Sequence, residues 1–152
     1  MPADTAFDVT EQITVDVPPA EVYAAVSDVR RMARWSSECF ATLTWARGRF
    51  VGFNRRGPFV WFTTCRVMVA EPGEEFAFDV TTFGMPVSRW GYRLAEVPSG
   101  TEVTEYWQDR RTRGAYVLGR IFTGRVTKDR PAANREGMRV TLERLKRELE
   151  AA

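Results

Sequence analysis

From Phe7 to Val17 the chain alternates, with Phe7, Val9, Glu11, Ile13, Val15 and Val17 on one parity and polar residues on the other. A period of two sends neighbouring side chains to opposite faces of a sheet, so this segment predicts a strand. "PPAEVYAAVSD" follows, with prolines suited to a helix start and a short apolar stripe of Val22, Ala25 and Val26. "VRRMARWSSEC" predicts a second short helix with Met32 and Trp35 on one side.

Beyond it the period returns to two. "FATLTWA" (40–46) and "FVGFNR" (50–55) flank "RGR" as a hairpin, and 58–71 is a long strand with Trp61, Thr63, Cys65, Val67 and Val69 on one face. Residues 76–83 set Phe76, Phe78 and Val80 together, and 88–97 do the same for Trp90, Tyr92 and Leu94. The turns "EPGEE" and "PSG" are short, which predicts an antiparallel meander. In 100–109, "GTEVTEYWQD", the parity of Val103 and Trp107 also carries Glu105. Residues 110–130 are basic, fit neither period, and read as a flap.

The closing segment, Pro131 to Glu150, places Met138, Leu142, Leu145 and Leu149 at i, i+4, i+7 and i+11, the stripe of an amphipathic helix. Its polar side offers the pairs Glu143–Arg147, Arg144–Glu148 and Lys146–Glu150. Such a helix is about 28 Å long, enough to cross a sheet. The order predicts an α+β domain spanning 1–152: a curved antiparallel sheet of about seven strands around a long C-terminal helix, with two short helices after the first strand.

Composition sharpens this outline. The 152 residues include 5 Trp, 10 Phe and 4 Tyr, which can build a thick core or wall a cavity for an apolar ligand. A net charge of +2 gives no pull toward nucleic acid. The chain has no histidine, so catalysis would rest on carboxylates, Tyr, Lys, Cys or water, and two cysteines make no metal site. No metal or cofactor is expected. The opening "MPADTAFDVTEQ" is unlike a signal peptide, and no run approaches the roughly 18 apolar residues of a membrane span. A cytoplasmic protein, monomer or homodimer, is expected.

Four stretches, "VPPAEVYAAVSDVRRMARWSSEC", "GFNRRGPFVWFTTCRV", "WGYRLAEVPSGTEVTEYW" and "GMRVTLERLKRELE", cover much of the chain. In wording and order it resembles the helix-grip superfamily of START-like and birch-pollen-allergen-like domains (SRPBCC). It is most similar to the bacterial polyketide cyclase/dehydrase and lipid-transport group. The resemblance implies a deep cavity between sheet and long helix that takes a lipid, polyketide or other small apolar molecule. Some members cyclise or dehydrate what they bind.

Periodicity alone reads Trp61, Phe76, Phe78, Trp90, Tyr92 and Trp107 as solid core, whereas the resemblance reads them as cavity wall. A filled core would suit a protein-interaction module. Thr63 and Cys65 are small among large neighbours and would leave volume; Cys65 as a nucleophile lacks a histidine partner. On the closing helix Asn134, Met138 and Thr141 would face the ligand, with Trp35 adding apolar contact, while Gly137 serves either the ligand or close packing. Arg55, Arg56, Arg110, Arg111 and Arg113 form either a guarded mouth or a solvated face. Glu105 has three readings: general acid or base, partner of an inward arginine, or a polar group at a wet cavity end.

Overall fold

The structure, a computed structural model, describes residues 7–111 and 130–151. Strand β1 (Val9–Val15) leads into helix α1 (Pro19–Val26) and a 3-10 helix (Val29–Arg34). Six strands follow: β2 (Cys39–Ala46), β3 (Arg49–Arg56), β4 (Phe59–Glu71), β5 (Glu75–Thr82), β6 (Met85–Val97) and β7 (Gly100–Asp109). Helix α2 (Arg130–Glu150) closes the chain. Most of the flap segment expected at 110–130 lies outside the described residues.

The strands form one antiparallel curved sheet in the order β1-β7-β6-β5-β4-β3-β2. Consecutive hairpins build it from β2 to β7, and β1 adds to the far edge beside β7. The two short helices therefore carry the chain from one edge to the other. Pro18 and Pro19 start α1, and the Asp28 side chain accepts from the Arg30 backbone N–H to start the 3-10 helix.

Helix α2 runs along the inner face with Met138, Leu142 and Leu145 each 2% exposed or less. Leu142, Leu145 and Leu149 pack with Val22, Ala25, Val26, Trp35 and Phe76 into the solid part of the core. The helix also covers the free edge of β1. Lys146 Nζ donates to the Thr14 carbonyl at 2.7 Å, and Arg135 Nη1 to that of Thr10 at 3.4 Å. Pairing an edge in this way removes a template for unwanted strand addition.

Lys146 and Glu150 form their expected pair at 2.7 Å. The Arg144–Glu148 pair gives way to tertiary partners. Arg144 bonds the Ser36 carbonyl, and Glu148 pairs with Arg34 at 3.1 Å.

The outer face holds a buried aromatic of its own. Tyr106, 1% exposed, lies over Gly91, where a Cβ would stand 2.3 Å from the tyrosine ring. Its hydroxyl donates to Glu75 at 2.6 Å, and Phe7 stacks on it with centroids 4.0 Å apart.

Candidate functional site

Strand register assembles the inner face in lateral rows. One row runs Val67, Phe78, Trp90, Trp107, Val9 across β4, β5, β6, β7 and β1. A second runs Phe50, Cys65, Val80, Ser88 across β3 to β6. A third, nearer the solid core, runs Phe76, Tyr92, Glu105, Glu11. Because side chains alternate, all three rows face α2.

Leucines fill the space beneath the C-terminal half of α2. Its N-terminal half instead carries Ala133, Asn134, Gly137 and Thr141, which leave room. A cavity of about 500 Å³ opens there, between these residues and the aromatic rows. On the opposite wall Gly52 sits across from Thr63, and Asn54 across from Trp61. A Cβ on Gly52 would lie 3.3 Å from Thr63 Oγ1, so small residues keep this side hollow. The sheet–helix space is therefore not a filled core.

Ten of the thirteen candidate ligand-cavity residues line this cavity: Trp61, Thr63, Cys65, Phe78, Trp90, Tyr92, Glu105, Trp107, Asn134 and Thr141. Three do not. Trp35, which ends the 3-10 helix rather than lying on it, is 1% exposed within the solid core. Phe76 packs beneath α1 against Tyr23, centroids 6.4 Å apart. Met138 is taken up by Val9 and Trp107. In each case neighbouring core side chains occupy the volume that ligand contact would need.

Several lining residues escaped the sequence reading. Phe50, Gly52 and Asn54 share one face of β3, whereas Val51 and Phe53 give the other face more apolar character, so alternation favours the wrong side. Cys39 and Ser88 also line the cavity. Gly137 lines it too, and a Cβ there would come within 2.6 Å of the Ser37 hydroxyl, which can rotate away.

Among the arginines, Arg111 is the one that reaches the wall, its side chain 11% exposed and paired with Asp109 at 2.6 Å. Arg110 and Arg89 both bind Asp79. Arg55 donates to the Gly57 carbonyl, Arg56 Nη1 is buried without a protein partner, and Arg113 lies outside the described residues.

The polar chemistry of the cavity centres on Glu105. It is 4% exposed, and its Oε1 has no hydrogen-bond partner among the described residues. The Tyr92 phenol, its cross-strand neighbour, is its hydrogen-bond partner. Burial pushes the carboxyl from the ordinary 4.5 up to about 8, and the Tyr92 bond only partly opposes this. The same burial, with Glu105 adjacent, raises the Tyr92 phenol well above 10. Glu11, opposite Glu105 on β1, pairs with Arg135 at 3.3 Å and Arg139 at 3.9 Å. The inward-arginine reading of Glu105 is thereby corrected: no ion pair reaches it among the described residues.

Asn134 is 2% exposed, and its Nδ2 is likewise without a partner. Thr63 accepts from Asn54 Nδ2 at 3.3 Å and lies 3.8 Å from Cys65 Sγ. Burial pushes the Cys65 thiol up to about 12, which keeps it protonated and unreactive. No cluster of metal-binding side chains occurs among the described residues.

Residues 6–150 match the sequence profile of the family described as "Polyketide cyclase / dehydrase and lipid transport". The chain belongs to that family. Solved structures agree on the fold. A polyketide-cyclase-like protein from Corynebacterium glutamicum is 29% identical, with a TM-score of 0.61 over 93% of this chain and 90% of its own. A protein from Mesorhizobium loti has 15% identity and a TM-score of 0.65, covering 95% of this chain and 97% of its own. The di-domain ARO/CYC protein of the steffimycin biosynthetic pathway shares only 10% identity but gives a TM-score of 0.71. There the match covers 99% of this chain and 54% of that one. A search of curated proteins returned no match. Among the described residues no helix is long and apolar enough to cross a membrane. For a member of the polyketide cyclase/dehydrase and lipid-transport family, the cavity under α2 is the natural place to look for activity.

Proposed function

We propose that the protein acts as one ligand-binding unit, holding a small apolar molecule such as a lipid or polyketide between sheet and α2. The observation that carries this reading is the cavity of about 500 Å³, walled by Trp61, Phe78, Trp90, Tyr92 and Trp107. Its size falls within the range of roughly 300 to 1,000 Å³ usual for small-molecule sites. Apolar walls with few polar groups suit a ligand that gains most of its binding from leaving water. Native mass spectrometry of the purified protein, before and after organic extraction, tests it. Co-purified apolar mass that extraction removes and re-addition restores supports the reading. A protein that stays ligand-free and takes up no apolar probe refutes it.

A specific observation also favours a second reading, a cyclase or dehydratase. Glu105 sits in the cavity with its carboxyl raised to about 8, near the pH at which proton transfer is most effective. As an acid it would protonate a departing hydroxyl; as a base it would take the proton α to a ketone. In a dehydration the C–H and C–O bonds break, a C=C bond forms and water leaves. Turnover of a poly-β-ketone mimic by the wild type, abolished in Glu105→Gln, would support this. Undiminished turnover in that variant would exclude Glu105 from the chemistry.

A further inference from the structure

The cavity wall is apolar except at a few points, and two of those are incomplete. Asn134 on α2 presents an amide N–H donor that no group among the described residues accepts. Glu105 on β7 presents Oε1, also unmatched, while Tyr92 engages its carboxyl. Both side chains are more than nine-tenths buried and both line the same cavity. A buried polar group without a partner is costly, so such a pair marks where a ligand's polar atom is received.

The surrounding charges decide what kind of atom that is. Glu11 on β1 is held by Arg135 and Arg139 of α2, and the Tyr92 phenol of β6 is neutral. Arg111 is the only cation among the described lining residues, and Asp109 engages it through Nε at 2.9 Å and Nη2 at 2.6 Å. With no ion pair reaching it among the described residues, Glu105 keeps its proton at neutral pH and offers a second donor to the cavity that Asn134 lines. Two donors in an apolar chamber suit acceptor oxygens with free lone pairs. They do not suit an ammonium, which brings only further donors. A carboxylate would have to lose its hydration in a chamber whose one cation among the described lining residues is already engaged.

We infer that the ligand's polar end presents neutral acceptor oxygen, a ketone carbonyl or a hydroxyl, to Asn134 and Glu105. The inference rests on the cavity being a ligand site and adds the chemical class of the head group.

The test is displacement of N-phenyl-1-naphthylamine by four molecules of equal chain length: a methyl ketone, a primary alcohol, a carboxylic acid and a primary amine. The expected result at neutral pH is that ketone and alcohol bind about tenfold tighter than acid and amine, since one hydrogen bond is worth about that factor. Asn134→Leu and Glu105→Leu bring the ketone down toward the unheaded alkane, whereas Glu105→Gln, which keeps an N–H donor, retains the preference. At a pH of about 9 the wild type loses ketone affinity as Glu105 ionises, and Glu105→Gln does not. Equal binding by all four molecules would overturn the head-group inference while leaving the cavity reading intact, as would polar ends satisfied by water only. Tighter binding of the acid or the amine would overturn it as well. Failure of the fluorophore itself to bind saturably would instead remove the cavity reading beneath it.

Discussion

Replacing Glu105 by glutamine should change how stability depends on pH. The wild-type carboxyl holds its proton up to about 8 when folded, against 4.5 in the open chain. Below the lower value both states are protonated and the group favours neither. Between the two, unfolding releases a proton, so stability falls as pH rises, by about 1.36 kcal/mol per pH unit. From about pH 5 to about pH 8 this amounts to roughly 3 to 4 kcal/mol, a large part of the 5–15 kcal/mol typical of a domain. The chain is well suited to the measurement because it contains no histidine, the side chain that normally titrates in this window. Asp28, Asp79 and Asp109 are held below the ordinary carboxylate value, burial notwithstanding, by bonds from Arg30, from Arg89 and Arg110, and from Arg111, so they have finished titrating before it. Urea unfolding followed by tryptophan fluorescence, at several pH values across this window, reads the slope directly. The variant should match the wild type near pH 5 to within about 1 kcal/mol, because the amide is isosteric with the protonated acid. It should then become the more stable protein as pH rises. A wild type that is flat across the window, or a variant with the same slope, would refute the assignment of Glu105 as a buried, proton-holding acid.

Thiol labelling checks the interior differently. With its thiol pushed up to about 12, Cys65 should react with iodoacetamide at about pH 8 roughly a thousandfold more slowly than an ordinary cysteine. Urea should abolish the difference, and fast labelling in native protein would contradict it. On the outer face, Gly91→Ala would force Tyr106 aside and should lower stability by about 1–3 kcal/mol, read from a melting curve. A neutral effect would mean that the ring is not seated as described.

The fold was legible because its signals were periodic. The stripe Met138, Leu142, Leu145, Leu149 sets the inner side of α2, and strict alternation through 100–109 places Val103, Glu105 and Trp107 on the inner face. The site was partly legible for the same reason, since strand parity puts Trp61, Phe78, Trp90 and Trp107 on one surface. Parity does not say whether that surface meets a leucine or an asparagine. Phe76 and Trp90 have the same pattern in sequence, yet Phe76 meets Tyr23 and Trp90 the cavity, because α1 covers only part of the sheet. Strand β3 gives no such signal, because its cavity face is built from Gly52 and Asn54, small and hydrogen-bonding rather than apolar. Tyr106 falls on the parity that elsewhere meets water, and Gly91, Arg93, Phe7 and Glu75 surround its ring and hydroxyl. Long-range partners of that kind leave no local mark.

The claim that most needs testing is that apolar ligands occupy the space between β4 and α2. Cys65→Phe puts a ring into that space at a position already 6% exposed and beside Val80. Titration of N-phenyl-1-naphthylamine into folded wild type and variant, each verified by its melting curve, compares them directly. The account predicts saturable one-to-one binding by the wild type and at least a tenfold loss in the variant. Equal binding by the two proteins would contradict it.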